Sequence, residues 1–105
     1  MGRFVIASYT PKEGKGAALL ELVRGHMGVL RGEGLVTDRP AYVMRASDGT
    51  LIEVFEWKSV EAVEQAHNNR AVQALWEEFG KVCDYSALSD LDETKQMFAE
   101  FEPVD

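Results

Sequence analysis

The run Phe55-Glu56-Trp57-Lys58-Ser59, continuing through 60–67, Asn68-Asn69-Arg70 and on to Cys83, decides the fold. Val72, Leu75, Trp76, Phe79, Val82 and Cys83 recur at helical spacing and form one apolar stripe, while Glu77, Glu78 and Lys81 take the other side. Val60, Val63 and His67 make a shorter stripe before it, with Ser59 placed to cap the first turn and Glu61 near its positive end. Asn68-Asn69-Arg70 interrupts the pattern with side chains that compete for backbone hydrogen bonds. The stretch therefore reads as a strand ending at Trp57, then two helical segments or one bent helix lying on a sheet.

Working outward, residues 4–10 (FVIASYT) are β-branched and aromatic, end at Pro11 and read as a central strand. Lys12-Glu13-Gly14-Lys15-Gly16 is a loop that lacks the Gly-Lys-Ser/Thr ending of a phosphate-binding loop. Residues 17–30 read as a helix with the stripe Leu19, Leu22, Val23, His26, Met27 and Leu30. Gly25 and Gly28 weaken that helix by about 1 kcal/mol each and mark a place where a neighbouring backbone can approach. Residues 41–46 and 51–57 are strands joined at Ser47-Asp48-Gly49. A three-residue loop with Gly49 left-handed sets Met44 opposite Ile52 and Tyr42 opposite Val54, which sorts the faces better than a two-residue turn. It also places Arg45 diagonal to Glu53, within reach of an ion pair. Residues 85–93 read as an irregular acidic connection. Residues 96–102 (QMFAEFE) alternate and read as a final strand halted by Pro103.

The order is β-α-β-β-α-β, one domain over residues 1–105: an α+β, ferredoxin-like arrangement with an antiparallel sheet. The pleat sorts Val5, Ala7, Tyr9, Tyr42, Met44, Ile52, Val54, Met97, Ala99 and Phe101 to a face expected under the helices. It sorts Phe4, Ile6, Ser8, Val43, Arg45, Leu51, Glu53, Phe55, Trp57, Phe98 and Glu100 to the other. That second face is too apolar for solvent and too charged for dry core. A second copy of the sheet covering it satisfies both facts, so a homodimer through the sheet face, with a partly polar lumen, is expected.

Charge narrows the partners. The net charge of −7 is uneven: residues 1–52 carry seven Lys/Arg against five Asp/Glu, and residues 53–105 carry four against thirteen. No clustered basic stripe exists, which argues against a nucleic-acid partner. The single cysteine, Cys83, rules out an internal disulfide, and its place on the apolar stripe makes it a small buried hydrophobe. Arg3, Ser8, Thr10 and Lys12 break any secretory apolar run after Met1, and no window reaches transmembrane length, so no membrane role and a cytoplasmic location are expected. His26 and His67 lie on different elements and do not make a metal site by spacing. Each either bonds a neighbouring group or serves as a pocket acid/base.

Phe55-Glu56-Trp57-Lys58-Ser59, followed by Ala66-His67, Val72-Gln73-Ala74-Leu75-Trp76 and Phe79, resembles the dimeric α/β-barrel superfamily, and within it the antibiotic biosynthesis monooxygenase-like proteins. By element order the resemblance spans the chain; its specific part is residues 55–79. It implies a homodimer of ferredoxin-like chains. It also implies a family in which some members oxidise polycyclic aromatics with dioxygen and no metal or flavin, some degrade haem, and many have no assigned activity. The first strand here offers Ser8 and no Asn, a departure from the haem-degrading pattern.

In such an oxygenase the substrate supplies the electrons and the protein supplies orientation, a proton acceptor and anion stabilisation. On that reading no cofactor is needed, Arg45 stabilises an anion and Glu53 or His67 takes a proton. Trp57, Phe55, Arg45 and His26 would hold a small aromatic or quinone-like ligand. The alternative is a non-catalytic small-molecule-binding or stress-response module, in which Arg45–Glu53 and Trp57 are interface packing.

Overall fold

The computed structural model describes residues 1–104. Strand β1 (Arg3–Pro11) leads into helix α1 (Gly16–Gly32); β2 (Tyr42–Arg45) and β3 (Leu51–Trp57) form a hairpin; α2 (Val60–His67) and α3 (Arg70–Val82) follow. Strand β4 (Cys83–Ser86), two short 3₁₀ turns and β5 (Glu102–Pro103) complete the chain. The five strands make one antiparallel sheet in the order β4-β1-β3-β2-β5, with the helices on one side. The α+β arrangement is compatible with a ferredoxin-like fold. Among the described residues no helix is long and apolar enough to cross a membrane.

Local chemistry explains the elements. Ser59 caps α2 by accepting from the Ala62 N–H at 3.1 Å, and Asn69 caps α3 by accepting from Val72 at 3.1 Å. Asn68 and Asn69 thus separate two helices. The hairpin turn places Gly49 at φ 93°, and its register sets Met44 against Ile52 and Tyr42 against Val54, as the pattern predicts. The α1 stripe is buried at Leu19, Val23, His26, Met27 and Leu30. Gly25 and Gly28 face open space, with nothing within 4 Å of an added Cβ, so they mark no packing contact among the described residues.

Three expectations are corrected. First, residues 96–102 do not form the fourth strand. Cys83–Ser86 does, pairing with β1, while only Glu102–Pro103 joins the sheet, beside β2. Met97 and Phe98 are 90% and 79% exposed, because their alternation has no strand to pair with. Cys83 leaves the helix in extended geometry (φ −149°, ψ 165°) and buries its side chain as the first strand residue.

Second, the pleat faces regroup. Ala7 pairs with Glu53 and Val5 with Phe55, so Val5, Ala7 and Tyr9 share the helix-facing side with Leu51, Glu53, Phe55 and Trp57. The opposite face carries Phe4, Ile6, Ser8, Tyr42, Met44, Ile52 and Val54. The charge on Glu53 argued against a place under the helices, but two hydrogen-bond donors meet it there and offset its burial.

Third, Arg45 does not pair with Glu53. Its guanidinium reaches Glu102 on β5 at 3.3 Å.

The open face is half covered by the chain itself. Leu88, Leu91 and Phe101 fold over Met44, Ala46, Ile52 and Val54. The Ser47 N–H donates to the Glu93 carboxylate at 2.7 Å and ties that segment to the hairpin turn. Beyond it, Ile6, Val54 and Tyr42 lie in one cross-strand row with Phe4 alongside; Phe4, Ile6 and Tyr42 are exposed.

Candidate functional site

A cleft of about 570 Å³ opens on the helix side of the sheet, between β1 and β3 below and α3 above. Its floor is Val5, Ala7, Tyr9, Phe55 and Trp57; its roof and rim are Trp76, Phe79, Gln73, Glu77, His67 and the β4 residue Tyr85. His26 reaches it from α1. The rings pack edge-on: Phe55 against Trp57 at 5.1 Å, His26 against Phe55 at 5.6 Å and Phe79 at 5.2 Å, and His67 against Trp76 at 5.0 Å. Edge-to-face contacts of this kind rigidify an apolar wall beyond what area burial provides.

Behind that wall lies a buried polar chain. The Trp76 indole N–H can only donate, and its partner is His26 Nε2 at 3.1 Å. His26 Nε2 therefore accepts, its proton sits on Nδ1, and Nδ1–H donates to Glu53 Oε1 at 2.8 Å. The Tyr9 hydroxyl donates to the same oxygen at 2.9 Å. His26 is 2% exposed and Glu53 fully buried. Glu53 Oε2 is buried with no hydrogen-bond partner among the described residues. Burial, then the neighbouring Glu53 charge and hydrogen bond, hold the Tyr9 phenol far above its ordinary range, so it stays a donor. Burial, then Cys83, raises Tyr85 as well. Burial and then Asp84, opposed by Lys12, raise the Cys83 thiol, which keeps it protonated and inert.

The arrangement is that of an oriented imidazole. A carboxylate fixes the tautomer and would stabilise an imidazolium formed on proton uptake, while Nε2, which here accepts from the cleft residue Trp76, is the nitrogen left to take a proton.

Of the residues singled out from sequence, Trp57, Phe55, His26 and His67 line the cleft, and Glu53 stands behind His26 as its partner. Arg45 lies elsewhere, half-exposed beside Glu102. His67 is at the rim, where its backbone carbonyl accepts from the Gln73 amide. Trp76 and Phe79 read as plain packing in the helical stripe, and Tyr9 as an apolar strand residue; all three belong to the site. The available signal was Tyr9 itself, since a tyrosine on a buried strand face needs a partner for its hydroxyl.

No group of three or more His, Cys, Asp or Glu side chains among the described residues is placed to hold a metal ion. In comparisons with known proteins, no family model, curated protein or solved structure matches this chain.

Proposed function

We propose that the cleft binds a small aromatic molecule carrying a hydroxyl group, with His26 Nε2 as the acceptor of its proton. The observation that supports this reading is an imidazole with an assigned tautomer at the back of a 570 Å³ aromatic cleft. The hydroxyl O–H would transfer its proton to Nε2, leaving an aryloxide beside an imidazolium paired with Glu53. An aryloxide or enolate is electron-rich enough to react with dioxygen directly. That is the chemistry implied by the likeness of residues 55–79 to the antibiotic biosynthesis monooxygenase-like proteins, and on it we base the assignment to the ferredoxin-like, dimeric α/β-barrel class. The exposed row of Phe4, Ile6 and Tyr42 supports a homodimer through the open sheet face.

One observation favours a second reading, a non-catalytic binding module. Trp76 already occupies His26 Nε2, so a ligand must displace that indole before the imidazole can act. Thermal shift with 1-naphthol against naphthalene, with oxygen uptake followed in parallel, separates these. The binding reading predicts stabilisation by both and more by 1-naphthol. His26→Asn keeps a donor for Glu53 but removes Nε2, and it should erase the naphthol preference. Trp76→Phe should enlarge it. Oxygen uptake with 1-naphthol that is lost in His26→Asn supports catalysis; binding without uptake supports the module. No stabilisation by either ligand in the wild type or in Trp76→Phe would sink both.

A further inference from the structure

We propose that the cleft discriminates by charge, accepting cationic aromatic ligands and rejecting anionic ones of the same shape. This rests on the aromatic-binding reading above and adds the ligand's charge class. Six aromatic rings line the cleft (Tyr9, Phe55, Trp57, Trp76, Phe79 and Tyr85), and among the described residues no Lys or Arg lines it. The faces of such rings carry negative electrostatic potential and attract cations, tryptophan most strongly. Glu77 adds a carboxylate at the rim, and Glu53 another one residue deep, behind His26.

The remaining charged and titratable groups do not reverse this field. Lys81 pairs with Glu78 through a short ion pair and is felt more weakly by Glu77, so this end of α3 keeps a net negative charge. Arg3 lines an adjoining hollow with Val60, Val63 and Glu64, which meets the cleft at His67. His26 turns its N–H away from the cleft, towards Glu53. The two tyrosines keep their protons, because burial opposes ionisation. A carboxylate- or sulfonate-bearing ligand would give up its hydration and meet no cation. A planar cation loses hydration too, but meets aromatic rings and a rim carboxylate. The whole-chain charge of −7 acts in the same direction at long range.

The test is a matched trio of fused two-ring compounds: 1-methylquinolinium, quinoline and 1-naphthoate. Affinity is read by titration calorimetry at low and high salt. The expected order is 1-methylquinolinium, then quinoline, then 1-naphthoate, with about tenfold or more between cation and anion at low salt. Glu77→Gln should narrow that ratio severalfold, with a far larger change in methylquinolinium affinity than in quinoline affinity. Naphthoate binding as tightly as methylquinolinium overturns the charge selection alone, because aromatic binding would still stand. Equal binding of all three does the same. Failure of all three to bind, with 1-naphthol also silent, overturns the aromatic-binding reading and this inference with it.

Discussion

His26 Nδ1 and Glu53 Oε1 meet at 2.8 Å across 27 residues of sequence, joining helix α1 to the middle of strand β3 with both side chains sealed from solvent. A carboxylate in that position is tolerable because His26 and Tyr9 both donate to it, and Oε2 has no further partner among the described residues. Removing one donor should therefore cost more than removing the whole set. His26→Leu alone is expected to destabilise the fold by about 3–5 kcal/mol, the usual penalty for stranding a buried charge. The triple variant His26→Leu, Glu53→Met, Tyr9→Phe should recover most of that loss, since it removes the buried carboxylate and leaves the half-buried Trp76 N–H as the group that loses its partner. Urea unfolding at neutral pH measures both, and equal destabilisation of the two variants would contradict the account.

Tyr9 predicts an alkaline limb. Its folded-state ionisation is raised above the ordinary phenol range near 10, chiefly by burial and then by Glu53. The stabilisation this represents is complete below about pH 10 and declines as pH rises further, because the unfolded chain sheds the proton and the folded one keeps it. Unfolding midpoints between pH 8 and pH 11 should fall more steeply for the wild type than for Tyr9→Phe. At neutral pH Tyr9→Phe should cost about 1–3 kcal/mol, because it leaves Glu53 one donor short.

Much of the architecture could be read from residue pattern alone. Helix spacing, the Ser59 cap, the break at Asn68-Asn69 and the left-handed Gly49 are all dictated by neighbours in sequence, and they appear where the pattern puts them. The phase of β1 against β3 is not local. A one-residue choice flips an entire strand, and a formal charge at position 53 weighed towards the wrong choice, because its partners Tyr9 and His26 lie 44 and 27 residues away. The site followed the same rule. Trp57, Phe55 and His26 stood out by type, whereas Trp76 and Tyr9 carry their roles through long-range bonds that no spacing announces. Residues 96–102 had alternation without a partner, and alternation alone does not make a strand.

The Ser47–Glu93 bond predicts an acid-sensitive tether. The Ser47 N–H is the main reason the Glu93 carboxyl ionises below its ordinary range. With a depressed folded-state value, the contribution is present above the usual carboxylate range and is lost as pH falls through the lower, folded value. Amide exchange at Ser47 and across residues 88–96 should, after correction for intrinsic rates, quicken severalfold between about pH 5 and pH 3, while α1 stays protected. Glu93→Gln should open more readily at neutral pH and show a flatter acid response. Identical profiles for the two proteins would place the tether elsewhere.

The sheet ends in stubs on both sides. β4 has four residues and carries Asp84; β5 has two, and one of them, Pro103, has no N–H to offer. An incoming strand therefore finds a charged margin on one side and a missing donor on the other, and neither invites the ladder to grow. Exposed Phe4, Ile6 and Tyr42 make the broad face adhesive while the margins stay inert. Margins built this way guard against edge-to-edge growth of the sheet without giving up a sticky face.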